Sequence, residues 1–357
     1  MVDDLRSVEV QKSCRTSLNR PHTLISLSMP GTTFPIPIAS PGWRAAIGWL
    51  AEGDYGFAPT NSQYNWLGAC QDIHATIDKQ PILVYRMDGM SDFPVYILKG
   101  QRNVELSVTY WPQALSSNGN ATDLGVLNDM INGVGTTNAV SHALIVKNYD
   151  TGTVYTITGC IANTVTINGR LGQALEVVVD YWCQNIMMAL PAGATFPSDP
   201  QIGVPFYFSQ ESVGLPSGTP QPQTLTFTGT ITNNLQRVFQ FGKDYVRTVP
   251  SLTRKAEGSL TATFATLSDY PNEGLVPATA EADTNPTTYT DPETAPSGLS
   301  QQTITLKLGV AGTTSYALNY SGAVLPKIDL DTRISDLIAL SLNWTATGVA
   351  AGTTTQP

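Results

Sequence analysis

Along most of the chain apolar and polar positions alternate with period two, as in Val104, Leu106, Val108 and Tyr110, or in Leu225 and Phe227 set between Thr224, Thr226 and Thr228. Alternation places apolar side chains on one face of a strand and polar ones on the other, so both halves read as mainly β. Two segments show helical spacing instead. Ser40 offers an N-cap with Pro41 in the first turn, Trp43, Ala46, Ile47 and Leu50 then recur at helical intervals, and Gly53 follows as a stop. Thr122 caps a second stretch, where Leu124, Leu127 and Ile131 share a face before Asn132 and Gly133 end it. Residues 191–222 hold Pro191, Pro197, Pro200, Pro205, Pro216, Pro220 and Pro222 without apolar periodicity. The expected organisation is a first β domain over 1–190 with an N-terminal extension, a linker over 191–222, a second β domain over 223–348 and an unpacked tail over 349–357.

The two halves repeat. Setting Gly159 on Gly322, an offset of 163 residues, aligns 159–181 with 322–344 without a gap. Val165, Ile167, Arg170, Leu175, Val177 and Val179 then meet Ile328, Leu330, Arg333, Ile338, Leu340 and Leu342, and Tyr181 meets Trp344. At an offset of 154, Leu106, Val108 and Tyr110 fall on Leu260, Ala262 and Phe264. The shorter offset implies a longer excursion in the second half, at 268–302, which carries five prolines and acidic residues but no Lys or Arg. Such a composition cannot make a core and is expected as an assembly or exterior loop. Duplication explains the ungapped stretch better than two unrelated β domains do.

Composition narrows the function. The 357 residues include 19 Lys+Arg against 28 Asp+Glu, a formal charge of -9, and 13% are charged. A groove for nucleic-acid phosphates needs clustered cations, so specific DNA binding is not expected. No apolar run is long enough to span a membrane, and Asp3, Asp4 and Glu9 stand where a signal peptide would be basic, which reads as a chain made in a cytoplasm. Cys14, Cys70, Cys160 and Cys183 lie far apart with no CxxC pair, as free thiols do. His22, His74 and His142 are scattered, no HExxH or GxSxG occurs, and the glycine run at 132–135 follows a helix instead of opening one. No catalytic residue, cofactor or metal site is therefore assigned. The six tryptophans, among them Trp43, Trp49 and Trp344, suit core or subunit contacts better than sugar stacking.

The stretch from Val154 through Tyr155, Gly159, Cys160, Asn163 and Ile167, followed by Leu175 to Tyr181, resembles the closing hairpin of tailed-phage (siphovirus-like) tail tube proteins, with Val178-Val179-Asp180-Tyr181-Trp182 at the place of the family's Asp-aromatic strand. The strand from Gly258 to Phe264, after Arg254-Lys255, resembles an earlier strand of the family. The resemblance implies two similar β-barrel or sandwich tube domains, each with little flanking helix. It also implies a structural virion protein that polymerises as stacked rings around the path of viral DNA ejection. Two units per chain imply trimeric, pseudo-sixfold rings. Expected partners are copies of itself and other tail proteins (tape measure, terminator, tip), with DNA passing through unbound and no membrane. The hairpin residues Val165, Ile167, Arg170, Leu175, Val177, Val179, Ile328, Leu330, Arg333, Ile338, Leu340 and Leu342 are the assembly candidates. Arg170 and Arg333 sit at a predicted hairpin tip, where pairing with a neighbouring chain competes with simply facing water. Competing readings are another β-rich tail or baseplate component, a surface adhesin or carbohydrate-binding module, and, more weakly, a polysaccharide-active β-sandwich enzyme.

Overall fold

A computed structural model of the chain describes residues 45–85, 94, 96–114, 127–131, 140–148, 152–195, 204–206, 211–214, 223–263, 302–308, 314–331 and 339–355. The first half carries β1 (Ala45–Ala51), β2 (Asn65–Trp66), β3 (Ala69–Lys79), β4 (Ile82–Val84), β5 (Tyr96–Leu98), β6 (Arg102–Trp111), β7 (Gln113–Ala114), β8 (His142–Asn148), β9 (Val154–Arg170), β10 (Glu176–Cys183) and β11 (Asn185–Met187). The second carries β12 (Val204–Pro205), β13 (Glu211–Gly214), β14 (Gln223–Thr232), β15 (Val238–Phe239), β16 (Val246–Thr248), β17 (Lys255–Thr263), β18 (Gln302–Leu308), β19 (Thr314–Asp331), β20 (Ala339–Ala346) and β21 (Gly348–Thr355). The mainly β reading holds.

Eight strands form one antiparallel ribbon in the order β19-β20-β17-β14-β9-β10-β6-β3. The two long strands each serve two sheets. Residues 154–160 of β9 pair with β8 and β11, and the residues beyond pair with β10 and β14. In β19, residues 314–323 pair with β18 and β21, and 324–331 with β20. The switch falls at Gly159 and Gly322, whose φ of +65° and +60° is a conformation that glycine alone adopts without cost. Glu52 fixes the first switch: its Oε1 accepts the Gly159 N–H at 2.8 Å, and its Oε2 accepts the Ser141 hydroxyl at 2.7 Å and the Gly56 N–H at 2.9 Å. At the second, the Thr347 N–H donates to the Ser321 carbonyl at 3.1 Å.

The pairing pattern of the first half recurs in the second. β3, β6, β10, β9, β8, β11 and β1 are neighbours in the same way as β14, β17, β20, β19, β18, β21 and β13. One contiguous core joins them, from Ile47, Trp49 and Leu144 through Val104, Val165 and Val177 to Phe227, Leu306, Leu318 and Trp344. Residues 127–131 form a helical turn whose Leu127, Met130 and Ile131 enter this core. The Tyr181 hydroxyl donates to Met130 Sδ at 3.6 Å, and Arg254 Nη2 donates to the Ile131 carbonyl at the turn's C-terminal end.

Four expectations are corrected. The segment read as a helix from Ser40 to Gly53 holds strand β1, because Ile47 and Trp49 face the main core while Leu50 packs on a smaller cluster with Ala143 and Ile145. Burial on both faces erases the alternation that marks a half-exposed strand. The supposed tail at 349–357 instead supplies β21, hydrogen-bonded along β19. Part of the supposed linker at 191–222 is ordered as well, β12 against β7 and β13 against β18. Finally, register places Val108, not Leu106, in the position of Leu260: Val108 faces Val179 and Leu260 faces Leu342. The slip of two residues kept the apolar phase and so left no trace in the pattern. The N-terminal extension up to residue 44, the start of the helix at 122 and nearly all of the 268–302 excursion lie outside the described residues.

Candidate assembly surface

The ribbon has two unlike faces. Val104, Leu106, Val108, Tyr110, Val165, Ile167, Val177, Val179, Tyr181, Leu260 and Leu342 are fully buried on one. The alternate positions, among them Glu105, Ser107, Thr164, Thr166, Asn168, Glu176, Asp180, Thr228, Thr230 and Glu257, form a polar face weighted to acid. Charges there are partly tied down: Ser107 Oγ donates to Asp180 at 2.7 Å, Lys255 meets Glu257 at 2.6 Å, and Arg237 meets Glu105 at 2.7 Å while its guanidinium lies 4.1 Å from the centre of the Trp182 ring.

The ribbon ends are its chemically open parts. Among the described residues, β3 pairs with β6 alone and residues 324–331 of β19 pair with β20 alone. Strand β3 projects beyond the core. His74, Thr76 and Asp78 are exposed, and Ile77 retains 43% of its surface. Its extension, the β4–β5 hairpin, exposes Ile82, Leu83, Tyr96, Ile97 and Leu98. Contiguous apolar exposure of this kind marks a contact surface in soluble chains.

Of the hairpin residues singled out for assembly, Val165, Ile167, Leu175, Val177, Val179 and Leu342 are fully buried core. Both edges of their strands are filled within the chain, β9 by β10 and β14, β10 by β9 and β6, β20 by β19 and β17. These strands therefore have no edge left for a neighbouring subunit, which corrects that expectation. Arg170 is exposed beside the β9–β10 turn, at the end of the β9 register with β14. Ile328 and Leu330 lie in the open-edged part of β19, Leu340 lies in β20, and Arg333 and Ile338 lie outside the described residues. The residues on the open edge of β3 were missed, although Ile73, Ala75 and Ile77 alternate there with His74, Thr76 and Asp78. The tryptophan reading fits the interior: Trp49, Trp66 and Trp344 are buried. Cys160 and Cys183 are buried free thiols and Cys70 is half-buried. Among the described residues no three metal-ligating side chains gather, and no helix is long and apolar enough to cross a membrane.

A family model described as phage tail tube protein matches residues 42–307, well over half of the chain. The chain belongs to the phage tail tube protein family. No curated protein matches it. Membership makes it a structural component of the virion tail. Its eight-stranded ribbon has one polar face and, among the described residues, two edges without a partner strand.

Proposed function

We propose that the chain is a duplicated tube subunit, that three copies close into a pseudo-sixfold ring through the open ends of their ribbons, and that such rings stack into the conduit for viral DNA ejection, with the polar face toward the lumen. The observation that carries this reading is the joint between the halves. The last ribbon strand of the second half, β14, pairs with the first of the first half, β9, and among the described residues this leaves the outer edges of their counterparts, β3 and residues 324–331 of β19, without a partner strand. A contact that joins two like units head to tail closes into a ring when its rotation permits, and two units per chain make three chains equal six units. Closure removes the exposed edges that would otherwise template aggregation. An acid-weighted wall neither binds nor reads DNA. Native mass measurement and negative-stain imaging of the purified chain with its tail partners test the reading: rings of three chains and stacked tubes are expected. A lasting monomer, or rings of six chains, overturns it.

A further inference from the structure

The internal joint also defines how two copies meet. In it, Ile231 lies opposite Val165, Gly229 opposite Ile167, Thr228 opposite Asn168, Thr230 opposite Thr166 and Thr232 opposite Thr164. The counterpart of β14 in the first half is β3. Phe227 faces Leu260 as Ile73 faces Val108, and a bulge interrupts both strands at the same step, Thr224/Thr226 and Cys70/Asp72. The counterpart of residues 164–168 in β9 is 327–331 in β19, since Asn168 faces Glu176 as Asp331 faces Ala339. The irregularity before each segment also matches, with Asp180 opposite Thr164 and Asn343 opposite Lys327 on its far side.

Resting on the ring reading above, we infer that β3 of one copy pairs antiparallel with residues 327–331 of the next in the transposed register, Ile77 opposite Ile328, Ala75 opposite Leu330, His74 opposite Asp331, Thr76 opposite Asp329 and Asp78 opposite Lys327. Across residues 164–168 the polar side of the internal joint is uncharged, Thr and Asn, with the Thr166 and Thr230 hydroxyls 3.3 Å apart, and its one charge, Arg170, faces Thr226 at the end of the register. On the same side, the joint between copies sets an acid against a lysine and a histidine against an acid. Opposite charges directly across a ladder favour pairing and like charges oppose it. A slip of two residues in one direction would set Asp78 against Asp329, so charge selects the register as well as the partner. On the other side, the Ile77–Ile328 pairing gives the exposed Ile77 an apolar partner, as Ile231 has in Val165. Before assembly the same charges keep the two bare edges from pairing at random.

The test uses the full-length chain. Asp78→Lys and Lys327→Asp, each alone, raise the concentration needed for ring formation by roughly tenfold or more while leaving the melting transition unchanged, and the double variant Asp78→Lys/Lys327→Asp restores assembly. Independently of any charge change, Ile77→Cys/Ile328→Cys forms intermolecular disulfides on mild oxidation, whereas Ile77→Cys/Leu330→Cys does not. Rings indifferent to the single reversals, or crosslinks in the shifted pair only, overturn the register and leave the ring reading standing. Failure of the unaltered chain to form rings overturns both.

Discussion

Glycines mark where side chains of the second half need space that the first half does not give. A Cβ on Gly229 would run into the Tyr320 hydroxyl and lie 3.2 Å from Phe227, in a cluster where the Tyr320 and Trp344 rings sit 4.4 Å apart. In the first half the corresponding register positions hold Ala75 beside Leu106, and Tyr181 stands in the place of Trp344. Each half therefore fills a similar volume with a different division between strands, as close packing demands. The Tyr320 hydroxyl has no hydrogen-bond partner among the described residues, so removing it costs little. Gly229→Ala is expected to destabilise by about 1–3 kcal/mol in urea unfolding, and to cost less in a Tyr320→Phe background. Equal costs in the two backgrounds would place the strain elsewhere. The same local logic made Gly159 and Gly322 legible as repeat anchors, since a turn in φ that only glycine tolerates fixes the residue at that step.

Among the elements, legibility followed how much of each face is buried. The ribbon strands, apolar on one side and polar on the other, were readable, whereas β1, covered on both, imitated a helix, and β21, rich in Gly, Ala and Thr, looked unpacked. Sequence could not reveal that β14 inserts beside β9, because pairing partners leave no mark in alternation. Nor could it show that Arg254 of the second half hydrogen-bonds the helical turn at 127–131. Arg254 is half-buried, and loss of solvation lowers its pKa below the usual guanidinium range. Its Nε donates to Asn233 Oδ1 at 3.0 Å and its Nη2 to the Ile131 carbonyl. Hydrogen bonds from a charged donor contribute about 1.5–3 kcal/mol. Arg254→Met, which keeps the apolar stem, is expected to lower stability by about that amount and to speed hydrogen exchange at Ile131 and its neighbours before the ribbon amides are affected. Uniform acceleration across the ribbon would mean that the turn is not a separate unit.

At the scale of the whole molecule, strand count fixes the bore. In the proposed ring, three ribbons of eight strands, spaced by about 4.8 Å and tilted by about 40°, would close on a backbone circle about 50 Å across, wider than a DNA duplex even after side chains are added. In that ring the face turned inward would be the one carrying Glu176, Asp180, Thr166, Thr230 and Asn168, since the opposite face is consumed by the core. A wall of this kind holds water and repels phosphate, and its Lys255 and Arg237 are already engaged by Glu257 and Glu105. Assembled tubes are therefore expected to show a bore of that order in cryo-electron microscopy. They should also retain no duplex DNA at physiological salt, with no dependence of retention on salt. Phosphate-neutralising surfaces behave oppositely, losing affinity steeply as salt rises. Replacing Asp180 and Glu176 by lysine would place six new cations on each ring of three chains and leave the buried face untouched. Such tubes should then bind DNA in a salt-sensitive manner while keeping their diameter. If the altered tubes still ignored DNA, the face bearing Asp180 would be the outer one.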